Sequence, residues 1–196
     1  HLAEGRAILG SLPKDALSAE ALYVLGIAHK ESNDGDAALE SFLLSLRKDD
    51  TNLGCVLEAA QLLLAEAASQ DDQSALLRAL DLFDYARKLG HLPPAGWSAY
   101  GSALARAGRF EEAVQALSTA VKEVEDGPTR YAEELKAVQT ALQQVRALEG
   151  RAQELQSSEP GSIEARLMAA QSLILRNRPL QASYLLENVL AHENAS

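Results

Sequence analysis

The stretch Ala19-Glu20-Ala21-Leu22-Tyr23-Val24-Leu25-Gly26-Ile27-Ala28-His29 decides the architecture, because its register recurs along the chain. Ala38 stands twelve residues after Gly26, Phe42 four residues later, and Ser45 three after that. Gly101, inside Trp97-Ser98-Ala99-Tyr100-Gly101-Ser102-Ala103-Leu104, is followed at the same intervals by Ala113, Leu117 and Ala120. Ala170 is followed in turn by Ala182, Leu186 and Val189. Apolar residues at three- and four-residue intervals mark amphipathic helices. A turn former falls inside each block: Asn33-Asp34-Gly35-Asp36, Gly108-Arg109 and Asn177-Arg178-Pro179. Such residues stop one helix and start the next. The pattern predicts antiparallel helix pairs in which a small residue of the first helix (Gly26, Gly101, Ala170) lets the second approach at its own small residue (Ala38, Ala113, Ala182).

Composition agrees. Ala and Leu dominate, aromatic residues make up 5%, and the six prolines and twelve glycines fall mostly between the periodic stretches. The abundant residues lose little rotamer freedom on a helix, and 196 residues can bury a substantial core. With 28 acidic and 18 basic residues the net charge is −10. That average field repels nucleic acid, and the densest basic spot, Arg176-Asn177-Arg178, is short. The single cysteine, Cys55, cannot form an intramolecular disulfide, which fits a reducing compartment. No apolar run reaches the roughly 18 residues of a spanning helix. His1 opens the chain inside a helical pattern and without Met, which reads as a cut end.

These blocks resemble the tetratricopeptide repeat, a 34-residue helix pair with the pattern W-x2-L-G-x2-Y, then A-x3-F, then P. Ala19–Asn52 supplies Leu22, Leu25-Gly26, His29 and Ala38-x3-Phe42; Pro94–Gly127 supplies Trp97, Tyr100-Gly101, Leu104 and Ala113-x3-Leu117. Ile163–Ser196 supplies Arg166, Ala169-Ala170, Leu173 and Ala182-x3-Leu186. The closing proline is replaced by Asp50, Glu125 and Asn194. Between the first two blocks, residues 53–93 hold a degenerate repeat. Its first helix is expected over Leu53–Ala68, its lengthened turn over Ser69-Gln70-Asp71-Asp72-Gln73, and its second helix at Ala79-x3-Phe83 and Ala86. Residues 1–18 read as a partial repeat, with His1–Leu12 as its second helix. The resemblance implies an all-α, right-handed superhelical solenoid.

Residues 128–162 break the pattern. Tyr131, Leu135, Val138, Leu142, Val145, Leu148, Ala152 and Leu155 form one stripe with no turn former at Leu142-Gln143-Gln144. One long helix over Thr129–Gln156, entered through Gly127-Pro128, is expected; a break at Gly150 would give a degenerate pair instead. The stripe either packs within the solenoid or pairs with a second copy in a homodimer.

Chemistry-bearing patterns are sparse. His29 occupies a packing position of the repeat, His91 a turn, and no histidine has partners at metal-ligand spacing. Cys55 reads as a buried, inert thiol on an apolar helix. Asp34-Gly35-Asp36 with Glu40 lacks the spacing of a calcium loop and reads as a turn with Asp36 capping a helix. No phosphate-cradling loop, nucleophile elbow or zincin pattern occurs. The reading is of a non-enzyme without metal or cofactor.

The resemblance also implies a concave wall lined by the first helix of each pair, where family members commonly bind an extended or helical peptide. On those helices the candidate positions are Glu20, Tyr23, Ile27 and Lys30, then Leu57, Gln61 and Leu64. Ser98, Ser102 and Arg106 follow, then Leu167, Gln171 and Ile174. A subset of the family grips chaperone tails with lysines, an arginine and asparagines on these faces; Tyr23, Ile27, Gln61, Ser98 and Ser102 lack that chemistry. The expected function is a protein-binding scaffold or adaptor. Alternatives are a self-assembling scaffold and the non-catalytic arm of a larger enzyme or assembly.

Overall fold

The computed structural model describes residues 9–124 and 130–193. Most of the helix expected over His1–Leu12 lies outside these residues, as do Gly127-Pro128, Glu125 and Asn194. Every regular element among the described residues is helical. After a 3-10 turn at Lys14–Ala16 come α1 (Ala19–Glu31), α2 (Gly35–Lys48), α3 (Leu53–Gln70), α4 (Gln73–Leu89) and α5 (Pro94–Arg106). There follow α6 (Phe110–Lys122), α7 (Arg130–Ser158), α8 (Ile163–Leu175) and α9 (Pro179–Glu193). The chain forms two compact units, His1–Ala99 and Tyr100–Ser196.

Helix starts are set by short polar side chains that accept hydrogen bonds from the otherwise orphaned first-turn amides. Ser18 Oγ accepts from Ala21 N (3.1 Å), Asn52 Oδ1 from Cys55 N (3.0 Å) and Ser162 Oγ from Ala165 N (3.4 Å). At α2 the cap is Asp34, whose Oδ1 accepts from Ala37 N (3.2 Å), and not Asp36, which lies in the first turn. Pro94 and Pro179 occupy first helical positions, where a missing N–H removes no helical bond.

Three helix ends are copies of one another. Asn33, Gly108 and Asn177 take left-handed φ values of 59°, 72° and 55°. In each case the next residue's N–H reaches back five residues: Asp34 to His29 O, Arg109 to Leu104 O, and Arg178 to Leu173 O, at 2.8–3.0 Å. The left-handed residue itself bonds three back, to Lys30, Ala105 and Ile174. This Schellman geometry satisfies the last carbonyls and reverses the chain, so the twelve-residue spacing of the sequence becomes one repeated turn.

The fourth turn differs from expectation. Ser69 and Gln70 continue α3, which runs 18 residues against 13 in α1. Neither residue breaks a helix, and the chain turns only at Asp71, with φ 52°, before Asp72 caps α4 by accepting from Ser74 N (2.7 Å). The extra residues therefore lengthen the helix and not the turn.

In the first unit α1 packs on α2, α2 on α3, and α3 on α4. Phe42 is fully buried with Ala38, Cys55 and Ala59, while Leu22 and Leu25 close on Leu17. Phe42, Leu22 and Leu25 each contribute about 1.5–3 kcal/mol by leaving water. The small first-helix residue makes room for the large residue of the second helix, beyond the expected alanine contact. A Cβ on Gly26 would stand 2.5 Å from the Phe42 ring, and one on Gly101 would stand 2.7 Å from Leu117 Cγ and 3.3 Å from Ala113 O.

In the second unit α7 is one helix of 29 residues, unbroken at Gly150, and about 43 Å long at 1.5 Å per residue. It lies against both α6 and α8, and α8 pairs with α9. Leu142 and Val145 bury themselves with Phe110, flanked by Val114, Val138 and Ala141, and Ala152 is buried further along. The stripe that could have paired with a second copy is thus covered, at its middle, by its own neighbours.

Candidate functional site

The candidate wall residues fall into three environments. On α1, Tyr23 and Ile27 are half-buried and pack on the Phe42, Cys55 and Ala59 cluster. The Tyr23 and Phe42 rings lie 5.9 Å apart, tilted at 44°. Burial, and then the nearby Glu58 carboxylate, push the Tyr23 phenol above its ordinary pKa. Lys30 reaches across to pair with Glu58 on α3, and a Cβ on Gly54 would stand 3.1 Å from the Tyr23 hydroxyl. This face of α1 is therefore the seat of α3. Glu20, one turn earlier, is exposed.

Leu57 and Ser98 are corrections to an open wall, since they are 9% and 3% exposed. A Cβ on Gly96 would lie 3.6 Å from a Leu57 methyl, which places Leu57 inside the packing of its unit. The spacing that marks a first-helix face does not reveal whether the next helix covers it. Gln61, Leu64 and Ser102 are half-buried, and Arg106 is exposed with its carbonyl accepting from Asn177 Nδ2 (3.0 Å).

On α8 the equivalent face is open. Leu167 and Ile174 are 43% and 56% exposed, Ile163 is 40% exposed, and Gln171 lies exposed between them. In the register of the repeats Leu167 matches Tyr23, Gln171 matches Ile27, and Ile174 matches Lys30. The positions that seat α3 on α1 thus present an apolar stripe on α8. On α9, Leu180 and Tyr184 are exposed as well, 85% and 67%; the repeat pattern, which tracks packing positions, does not single them out.

A cleft of about 430 Å³ is formed by α7, α8 and α9. Ala152, Ala165, Ala169, Leu173 and Leu185 line it, with Gln153, Gln156, Arg166, Ser172 and Glu149 among the polar groups. One lining residue, Glu149, is held by Arg176 at the end of α8. The Arg176 Nε donates to Glu149 Oε1 (2.8 Å) on α7, and Nη1 and Nη2 donate to Glu111 (3.1 and 3.2 Å) on α6. Ser172 Oγ also donates to Glu149 Oε1 (3.1 Å). Both carboxyls are held below their ordinary pKa, chiefly by these Arg176 hydrogen bonds, and the guanidinium is correspondingly raised. The partners lie 65 and 27 residues away in sequence, so no local motif announces them. The only signal is a large cation where the other repeats carry Ser32 and Ala107.

Cys55 is fully buried, its Sγ donating to Phe42 O (3.5 Å), and burial raises its thiol pKa. Among the described residues no group of three or more His, Cys, Asp or Glu could hold a metal ion, and no helix is long and apolar enough to cross a membrane.

No protein-family model matches the chain, and no curated protein matches it in sequence. Solved structures do. YrrB, described as a TPR protein with an unusual peptide-binding site, aligns with a TM-score of 0.56 at 15% identity, over 87% of this chain and 84% of that one. TTC0263, a thermophilic TPR protein of Thermus thermophilus, aligns at 0.56 and 19% identity over 88% and 89%. MamA aligns at 0.53 and 18% identity over 90% and 92%. With the helix pairs, the Schellman turns and these likenesses together, the chain has the tetratricopeptide-repeat fold.

Proposed function

We propose that this chain is a non-catalytic protein-interaction module that holds an extended or helical segment of a partner protein against the first-helix face of the α8–α9 pair. The observation that carries this reading is the open apolar stripe Ile163, Leu167 and Ile174 on α8. Its counterpart on α1 is seated under α3 within the same chain. The register equivalence and the exposed apolar side chains support this face as a seat for a partner's helix. A handful of apolar anchors at helical spacing is the usual basis of helix-in-groove recognition. The peptide-binding site described for YrrB supports binding as a use of this fold.

The test places a photo-crosslinking amino acid at Gln171, with Gln143 on the exposed side of α7 as control. A partner that crosslinks from 171, not from 143, and is lost in Leu167→Glu/Ile174→Glu with helicity unchanged, supports the reading. Equal labelling from both positions, or labelling that survives the double substitution, sinks it. Tyr23 and Ile27 are unsuitable for such a test because their truncation would open the Phe42 core.

A further inference from the structure

The repeat register exposes a second peculiarity of α8. In α1 the packing positions four and one residues before the small residue are Leu22 and Leu25, both fully buried against Leu17. In α5 they are Trp97 and Tyr100, of which Tyr100 is buried. In α8 the same positions hold Arg166 and Ala169, and both line the cleft beside α7. Two large apolar side chains of the repeat are thus missing where the cleft opens. Its walls remain apolar through Ala152, Ala165, Leu173 and Leu185. A space left by large apolar residues, with apolar walls, is filled most favourably by another such residue.

Charge adds direction. Arg166 makes no ion pair with any described residue. The one carboxylate in the lining, Glu149, is already engaged by Arg176 and Ser172. Glu164, on the same helix, faces Arg151 (3.9 Å). The cleft therefore presents one uncommitted cation at an apolar recess whose lining also includes Gln153 and Gln156.

We propose that this cleft receives one large apolar side chain of an extended partner segment, with an acidic side chain adjacent in that segment paired to Arg166. The proposal rests on the interaction-module reading and names the chemistry of its partner. The carboxylate is that of a side chain: the lining offers one uncommitted cation, Arg166, to one internal charge.

The probe is an acetylated, amidated heptapeptide, Gly-Ser-Ser-Trp-Glu-Ser-Gly, followed by amide chemical shifts of the isotopically labelled protein. The expected result is saturable shifts confined to residues 149–156, 165–173 and 185. Replacing the peptide's Trp by Ala should weaken binding more than about tenfold. Replacing its Glu by Gln should weaken it about three- to fivefold, the range of an exposed ion pair, and Arg166→Gln should erase that difference. Arg166→Leu/Ala169→Leu, which restores the residues of α1, should fill the cleft and abolish binding. If that variant fails to fold, Arg166→Gln alone decides. Equal affinity for the Glu and Gln peptides, or shifts that track protein concentration without peptide and so reveal a second copy, overturns the proposal. Shifts elsewhere on the chain also overturn it while leaving the interaction-module reading standing, and that reading is judged separately by crosslinking from Gln171.

Discussion

Gly108 is the position where a single methyl group should do the most damage. It turns the chain between α5 and α6 at φ 72°. A Cβ there would stand 2.0 Å from Arg176 O and 2.2 Å from Arg176 C. Those are backbone atoms at the end of α8 and cannot rotate aside. Restoring an ordinary 3.4 Å contact would move the carbonyl by roughly 1.4 Å (3.4 − 2.0). The Asn177 Nδ2 to Arg106 O bond and the Arg176 ion pairs lie directly beside it. Left-handed backbone costs a residue with Cβ about 1–2 kcal/mol, and overpacking a fixed contact adds about 1–3 kcal/mol. Gly108→Ala should therefore destabilise the protein by about 2–5 kcal/mol. Gly161 supplies the control: φ is 94° and a Cβ added there would have nothing within 4 Å, so Gly161→Ala should lose only the backbone part, about 1–2 kcal/mol. A third variant separates the two causes. Asn33 and Asn177 occupy the equivalent left-handed position in the other repeats, so Gly108→Asn tolerates the dihedral while keeping the collision. Urea unfolding followed by circular dichroism should rank the losses Gly108→Ala and Gly108→Asn well above Gly161→Ala. If Gly108→Asn is as stable as wild type, or Gly108→Ala loses no more than Gly161→Ala, the close approach to Arg176 is not what fixes the residue.

Arg176→Met should lower stability by about 1–2 kcal/mol, a figure reduced because Glu111 and Glu149 are partly solvated. Both carboxyls sit below the ordinary value of 4.5 in the folded chain. Their contribution is therefore present above that pH and lost as pH falls through the depressed folded values. Wild type should lose more stability on acidification below pH 4.5 than Arg176→Met, and parallel urea curves at each pH would refute this. Gly150 lies inside α7 with open space around it, so Gly150→Ala should stabilise by about 0.5–1 kcal/mol, or about 1–4 °C in Tm; a lower Tm would contradict the single helix. Cys55 should resist thiol reagents in native buffer and react fully in urea, and rapid native labelling would contradict its burial.

The parts of this fold legible in sequence are those whose cause is local. The twelve-residue interval survives into structure because a Schellman turn has fixed length, and because Phe42 and Leu117 need the space that Gly26 and Gly101 leave. The length of α3 was not legible in the same way. Ser69 and Gln70 are neutral between helix and turn, and the stop depends on the conformation of Asp71. The wall residues were legible as first-helix positions, not as surface. Tyr23 and Leu167 share one register position, yet among the described residues Tyr23 packs under α3 and Leu167 is exposed. The Arg176 bridge was illegible because its geometry belongs to three helices brought together by folding.

That contrast shows where in such a chain chemistry should be sought. A repeat fold determines most of its residues twice, once by packing within the pair and once by packing against the neighbour. Residues that obey the register, such as Leu22, Leu25 and Tyr100, are accounted for by their burial. Departures from it are informative because packing alone disfavours them. Arg166 and Ala169 give up apolar contacts that α1 makes at the same positions, and an arginine there is poorer for folding than the leucine it replaces. The neighbouring helix α7, one long element where a helix pair would otherwise stand, leaves the recess open along its flank. A substitution unfavourable to packing, next to an element that departs from the repeat, is more economically explained by what enters the cleft than by the stability of the chain itself.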